Sequence, residues 1–201
     1  MVVCDLAKKF GLNVPASKLE SFSLGGSTFL IKRFDRDNGH RLHFLSAMAL
    51  LGKTDGDTDG VSYLDIAAFI KSSGASPKQD LEELWKRVVF NMAVSNTDDH
   101  LRNHGFILKN NGWILSPAFD VNPNIYGNAL SLNVSNDDNS INFELAIETA
   151  QYYGICNQDA KMIVESVRKT VSDNWRPLAA AHNLSRESVN RMEPAFAMEY
   201  K

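Results

Sequence analysis

The sequence predicts an α+β fold, mainly helical with a few short strands, and three observations carry that prediction. Apolar residues recur at helical spacing in long stretches on both sides of a central polar loop. β-prone runs are short and confined to the N-terminal region and the surroundings of that loop. The 201 residues, 44% hydrophobic and 22% charged, suffice for one sizeable core, and no repeat or low-complexity segment interrupts them.

Val2 to Phe10 sets Val3, Leu6, Ala7 and Phe10 at helical spacing, and Gly11 stops the helix ahead of Pro15. Leu19 to Phe34 reads as two strand-like pieces around Gly25 and Gly26, with Thr28-Phe29-Leu30-Ile31 composed like a buried strand. Arg33-Phe34-Asp35-Arg36 leaves that strand, and Asp37-Asn38-Gly39 is turn chemistry. Leu42 to Leu51 fits a short helix. Gly52 to Gly60 contains Asp55, Asp57 and Asp59, which invites a calcium-loop reading. Such a loop closes with a carboxylate at its twelfth position, here Ile66, so a solvated loop is favoured.

Ser62 and Asp65 can cap a helix from Tyr63 to Lys71, with Gly74 ending it. Ser76-Pro77 starts the next, with Asp80, Glu82 and Glu83 early, and it runs through Trp85 to Ala93. The apolar run Leu84 to Val94 then gives way to the polar loop Ser95 to His104. A hairpin follows, Phe106 to Leu108 and Trp113 to Leu115, turning at Asn110, Asn111 and Gly112. Val121 to Gly127 is irregular, Ala129 to Val134 strand-like, and Asn136 to Asn139 a polar turn. Helices over Phe143 to Tyr153, Gln158 to Asn174 and Ser185 to Glu199 complete the chain. Met162, Ile163, Ser166, Val167 and Thr170 mark one face of the second.

A net charge of -3 and a pI near 5.9 argue against direct nucleic-acid binding, which needs a basic face. Cys4 and Cys156 are far apart in apolar contexts, which favours buried free thiols and a reducing compartment. No apolar run reaches membrane-spanning length and the N-terminus lacks the pattern of a signal peptide, so a cytoplasmic location is expected.

The chemistry concentrates between Val88 and Asp120. A carboxylate, Asp98, precedes an asparagine, Asn103, by five positions; a hairpin then delivers a second carboxylate, Asp120. Phosphoryl transfer needs positioning, neutralisation of phosphate charge and an acceptor for the hydroxyl proton. Asp98 is the candidate base, and Asn103 and Asp120 supply hard oxygen donors suited to Mg²⁺. His100 and Arg102 can counter phosphate charge or order the loop. An isolated D-x-x-x-x-N usually decorates a helix end; the hairpin and Ser116-Pro117-Ala118-Phe119-Asp120 turn the balance toward function. His104 by itself reads as structural. A metal hydrolase built on Asp99-His100 is a rival, but His40, His43 and His182 have no ligand spacing.

Val89-Phe90-Asn91, Asn96 through Phe106 (NTDDHLRNHGF) and Leu115 through Pro123 (LSPAFDVNP) resemble the C-terminal kinase domain of HipA-like serine/threonine kinases. Arg33-Phe34-Asp35-Arg36, Phe44-Leu45-Ser46-Ala47 and Ser62-Tyr63-Leu64 resemble that family's connecting segments. The resemblance spans nearly the whole chain and implies a protein-kinase-like C-terminal lobe using ATP and Mg²⁺ on a protein serine or threonine. It implies Asp98 as catalytic aspartate, Asn103 and Asp120 as magnesium ligands, and Lys32, Arg33 and Phe34 as the hinge whose backbone meets adenine.

In that family a phosphate loop and a strand lysine precede the helix resembling Val2 to Phe10. Gly25-Gly26-Ser27 with Lys32 could substitute for them, but the fit of Arg33 to Arg36 favours the hinge. The resemblance therefore implies residues 1–36 as the remnant of an N-terminal lobe with its hinge, and 37–201 as the helical lobe. The missing lobe is expected from a truncation, a shortened gene product or a partner chain. Two expectations follow: a protein kinase domain incomplete alone, or a non-catalytic remnant binding an antitoxin-like DNA-binding protein.

Overall fold

The computed structural model describes residues 1–23, 26–54 and 60–198. Its helices are α1 (Val2–Phe10), α2 (Ala47–Leu50), α3 (Tyr63–Ser73), α4 (Pro77–Ala93), α5 (Phe143–Thr149), α6 (Asn157–Ala181) and α7 (Arg186–Phe196). Its strands are β1 (Ser17–Ser23), β2 (Gly26–Ile31), β3 (Arg36–Asp37), β4 (His40–Arg41), β5 (Phe44–Ser46), β6 (Gly105–Lys109) and β7 (Gly112–Leu115). The predicted α+β class is what the chain adopts.

The core is built around α4. Pro77 sits in its first turn, where the missing N–H costs nothing. From Leu84 onward it is buried almost all round: Leu84, Trp85, Val88, Val89, Phe90, Met92 and Ala93 are each at most 1% exposed. Helices α3, α5 and α6 pack against it. Trp85 donates its indole N–H to the Ala146 carbonyl at 3.0 Å, satisfying the one polar atom of an otherwise apolar side chain.

Local chemistry sets the ends of these helices. Gly11 ends α1 in the left-handed region (φ 93), where its N–H reaches the Ala7 and Lys8 carbonyls. Ser62 and Asp65 form the predicted capping box of α3. Asn38 (φ 46) and Gly39 (φ 84) join β3 and β4 in a two-residue turn, as an Asn-Gly pair favours.

Strands β5, β6 and β7 form one antiparallel sheet in that order, with Phe44 opposite Ile107 and Phe106 opposite Leu115. The loop from α4 enters this sheet at β6, and the segment leading to Asp120 leaves it after β7.

Several expectations require correction. Phe44–Ser46 is a strand rather than the start of a helix, because it pairs with β6; only Ala47–Leu50 turns helical. Thr28 to Ile31 is a strand but not a buried one: Phe29 and Ile31 are 42% and 41% exposed, since β2 pairs only with β1. Ala129 to Val134 makes isolated bridges to Ser140 and Ser62 instead of a strand. The buried stripe of α6 is Ala160, Val164, Val167, Val171, Trp175 and Ala179, and Met162 points to solvent. Cys156 is exposed at the α6 N-cap, where its sulfur accepts from Asp159 N–H, and both thiols are free. Asp55, Asp57 and Asp59 lie outside the described residues, as do Gly25 and Glu199. Among the described residues no helix is long and apolar enough to cross a membrane.

Candidate functional site

The site begins where α4 ends. Ser95 takes a left-handed conformation (φ 51) and reverses the chain, so that Asn96 N–H bonds back to the Asn91 carbonyl at 2.8 Å. The loop then divides its two neighbouring carboxylates. Asp98 is exposed, whereas Asp99 is 4% exposed and faces the core.

Asp99 is the anchor. Its Oδ2 accepts from Tyr63 Oη at 2.6 Å, Asn91 Nδ2 at 2.8 Å and, at the same distance, pairs with His104 Nε2. These partners come from α3, α4 and the entry to β6. Burial alone would raise the Asp99 carboxyl, but His104, Tyr63 and nearby Arg87 together outweigh it and hold the group below the ordinary carboxylate range. Burial next to Asp99 pushes the Tyr63 hydroxyl well up, so it remains a donor.

Asn103 is 6% exposed and donates Nδ2 to the Asp98 carbonyl at 3.1 Å. A carbonyl only accepts, so this contact turns Asn103 Oδ1 the other way, as a ligand oxygen requires. His100 and Arg102 occupy the turn between them, with Arg102 Nη2 3.4 Å from His100 Nε2. The His100 Nδ1 atom is buried and unpartnered among the described residues.

The second carboxylate is held from α4 and from the loop. Asp80 accepts Leu115 N–H at 3.0 Å, and Arg87 donates to the Ser116 carbonyl at 2.7 Å. Arg87 is buried, which lowers its pKa, while Glu83 opposes that shift through bonds of 2.9 and 3.0 Å. Ala118 N–H reaches the Asn13 carbonyl at 2.7 Å. Asp120 then emerges with a left-handed backbone (φ 56), its exposed carboxylate accepting from Asn122 Nδ2 at 2.8 Å. Asn122 N–H bonds Asn96 Oδ1 at 3.3 Å, which ties the Asp120 segment to the loop two residues before Asp98. The hard oxygens of Asn103 and Asp120 fit a magnesium ion by donor type.

Of the residues expected as a hinge, Phe34 meets this segment. Phe34 packs on Phe119 with ring centroids 5.5 Å apart, and on Phe44 at 5.6 Å. Arg33 makes a two-bond pair with Asp35 at 2.6 and 2.8 Å. Lys32 N–H is committed to the Ala16 carbonyl at 2.8 Å, so that donor closes the hairpin rather than facing a ligand. Phe29, Ile31, Cys4, Ala7, Phe119 and Asp120 help line a cleft of about 550 Å³ between hairpin, α1 and the Asp120 segment.

Hydrogen bonds thus connect Asn103 to the Asp98 backbone and the Asp120 segment to Asn96, and Phe34 packs on Phe119, the residue before Asp120. Sequence reasoning missed Asn91, Asn96, Asn122, Tyr63 and Arg87, which hold that assembly in place. The available signal was a polar residue in an apolar helical run, Asn91 in VVFNMAV, since buried amides need partners.

Comparison with known proteins bears on the family and the fold. A family model described as the HipA-like C-terminal domain matches residues 1–175. A Haemophilus influenzae protein named "Putative kinase" is 33% identical over 128 residues, covering 57% of this chain and 37% of that protein. "Putative kinase Y4mE" of Sinorhizobium fredii is 28% identical over 129 residues, covering 59% of this chain and 30% of its own length. The chain therefore spans about a third of these curated relatives. HipA of Shewanella oneidensis MR-1, solved with HipB and operator DNA, superposes with a TM-score of 0.76 at 18% identity. That match covers 97% of this chain and 52% of HipA. The Helicobacter pylori proinflammatory kinase CtkA gives 0.55 at 13% identity, covering 91% of this chain and 86% of CtkA. Both share the fold. With the family model matching residues 1–175, this chain belongs to the HipA-like C-terminal domain family.

Proposed function

We propose that the chain is the C-terminal lobe of an ATP-dependent phosphotransferase acting on a protein serine or threonine hydroxyl. The observation that carries this reading is the bonded assembly of Asp98, Asn103 and Asp120: Asn103 Nδ2 on the Asp98 carbonyl, and Asn122 linking Asp120 to Asn96. The kinase names of its relatives and the kinase fold of its structural neighbours support the same class.

In this reading Asp98, exposed at the loop apex, accepts the proton of the attacking hydroxyl. Asn103 and Asp120 would hold magnesium, which supplies neutralisation of charge on the transferring phosphoryl group. His100 and Arg102 offset further phosphate charge. Arg33 and Phe34 carry the adenine-facing backbone, with Phe34 keeping that strip against Phe119. In the same reading residues 1–36 are the remnant of an N-terminal lobe with its hinge, and 37–201 the helical lobe.

A second reading, a kinase-derived module that binds an antitoxin-like protein, draws on the exposed apolar hairpin: Phe22 is 73% exposed, Phe29 42%. The HipA neighbour was solved with HipB.

Calorimetric titration of the chain with ATP, with and without magnesium, separates the two. Magnesium-dependent binding lost in Asp120→Asn supports the phosphotransferase. A folded chain that binds no nucleotide, alone or with an N-terminal lobe from a relative added in trans, removes it and leaves the binding module.

A further inference from the structure

The loop and the Asp120 segment are joined by more than one bond. From Asp99 a continuous chain of hydrogen bonds runs through three asparagines. Asn91 Nδ2 donates to Asp99 Oδ2 at 2.8 Å; Asn96 Nδ2 donates to Asn91 Oδ1 at 3.0 Å; Asn122 N–H donates to Asn96 Oδ1 at 3.3 Å; and Asn122 Nδ2 donates to Asp120 Oδ1 at 2.8 Å.

The direction of this chain is imposed from both ends. An ionised carboxylate only accepts, so Asn91 must present its NH₂ to Asp99 and its carbonyl oxygen to Asn96. A backbone N–H only donates, so Asn96 must keep its own oxygen for Asn122 and spend its NH₂ on Asn91. Neither amide can flip without breaking two bonds. Asn91 and Asn96 are 4% and 1% exposed, so water cannot readily replace those partners.

Asp99 also adjoins the Asn103 contact. It is the residue after Asp98, whose carbonyl takes the Asn103 amide. The relay to Asp120 thus starts at the Asp99 carboxylate, and the Asn103 contact lies one peptide away on the same loop.

We infer that Asn91 and Asn96 are positioning residues, forming with Asp99 an amide relay that sets the spacing and orientation of Asn103 and Asp120 relative to each other. The inference rests on the assignment of those two residues as magnesium ligands. Neither relay asparagine touches metal or substrate. Their effect passes through Asn122 to the Asp120 carboxylate, as partners behind metal ligands do elsewhere.

The test uses Asn96→Ala, which cuts the relay in the middle, and Asn122→Ala, which removes only the exposed final bond and leaves the buried amides paired. Two measurements are made on each. Amide hydrogen exchange reads the relay without any ligand: exchange should quicken across 96–104 and 120–124 in Asn96→Ala, while α3 stays at the wild-type rate. ATP titration at stepped magnesium concentrations reads the consequence. Both variants should need about tenfold more magnesium for the same affinity, the lower end of the usual effect of losing such a partner. Binding of ATP without magnesium should be unchanged.

Uniform acceleration of exchange over α3 and α4 in Asn96→Ala, or a magnesium requirement unchanged in both variants, would overturn the relay. A wild-type chain that shows no magnesium-dependent binding, with an N-terminal lobe supplied, defeats the phosphotransferase reading and with it the metal-positioning role. Exchange confined to the two loops would in that case still show the relay as a coupling between them.

Discussion

Gly127 offers a purely steric way to move the catalytic-loop candidate without touching any of its functional groups. It lies against Thr97, the residue before Asp98. A Cβ at Gly127 would overlap Thr97 Oγ1 and stand 2.6 Å from its Cβ and 2.7 Å from its Cγ2. Carbon atoms pack at roughly 3.5–4.0 Å, so the two segments must part by about 1 Å. Gly127 has no left-handed φ, so alanine brings no backbone strain and only the collision acts.

Thr97 has little room to yield. Its Oγ1 accepts Asn124 Nδ2 at 2.8 Å and its carbonyl accepts Ser131 Oγ at 2.8 Å. A β-branched side chain also has few χ1 alternatives. Displacement therefore sacrifices one hydrogen bond, about 1 kcal/mol, within a total overpacking cost of about 1–3 kcal/mol. For a chain of this size, each 1 kcal/mol lowers Tm by about 2–4 °C. Gly127→Ala should melt about 2–12 °C below wild type, with exchange quickened at 96–104. Gly26→Ala is the control: a Cβ there meets nothing within 4 Å, and its stability should stay within about 0.5 kcal/mol. A Gly127→Ala chain that melts with wild type would refute the close approach and the coupling built on it.

Further predictions concern the site and its supports. Asp98→Asn in an enzyme completed with its N-terminal lobe should lower turnover by about 10²-fold or more, and near-normal phosphorylation would remove Asp98 as base. Arg87→Met strips Glu83 of its buried partner and frees the Ser116 carbonyl. Urea unfolding should report a loss of about 3 kcal/mol, and a change under about 1 would show that Arg87 does not anchor the Asp120 segment. Asp99 is held below its ordinary value in the folded chain, so the unfolded chain binds its proton more readily at low pH. Its stabilisation is present above the ordinary carboxylate value and is lost as pH falls through the lower folded value. Melting curves between neutral pH and pH 3 should fall more steeply for wild type than for Asp99→Asn; parallel curves would mean that Asp99 is not ionised in the fold.

Much of this architecture was legible because it depends on local rules. Gly11, Ser62 with Asp65, and Pro77 mark helix ends by chemistry that acts within one turn. The hairpin after the loop was readable from its two short apolar runs and the Asn-Asn-Gly turn between them. What escaped depends on partners distant in sequence. Nothing local says that Phe44 will pair with Ile107, or that Phe29 and Ile31 will lack cover. The α6 stripe is only partly the expected one for the same reason: Val167 is buried and Ile163 packs against the core, but Met162 is exposed, and the buried line runs through Val164, Val167 and Val171 where α6 packs on α1, α4 and α5.

Asp98 and Asp99 show where spacing stops being informative. Both are aspartates, adjacent, at the end of the same apolar helix, and a motif assigns chemistry to only one of them. The loop cannot bury both: two neighbouring ionised carboxylates in the core would each need donors, and like charges at that distance raise each other's pKa. The fold has donors for one. Tyr63, Asn91 and His104 converge on Asp99 from three elements, and Arg87 adds charge from α4. Asp98 is left exposed as a consequence, which suits the base role proposed for it. The exposed carboxylate is thus positioned by the buried one, and the identity of the second aspartate matters through the donors that surround it. That arrangement explains why Asn91, a residue with no role of its own in the proposed chemistry, occupies a buried position near the end of α4.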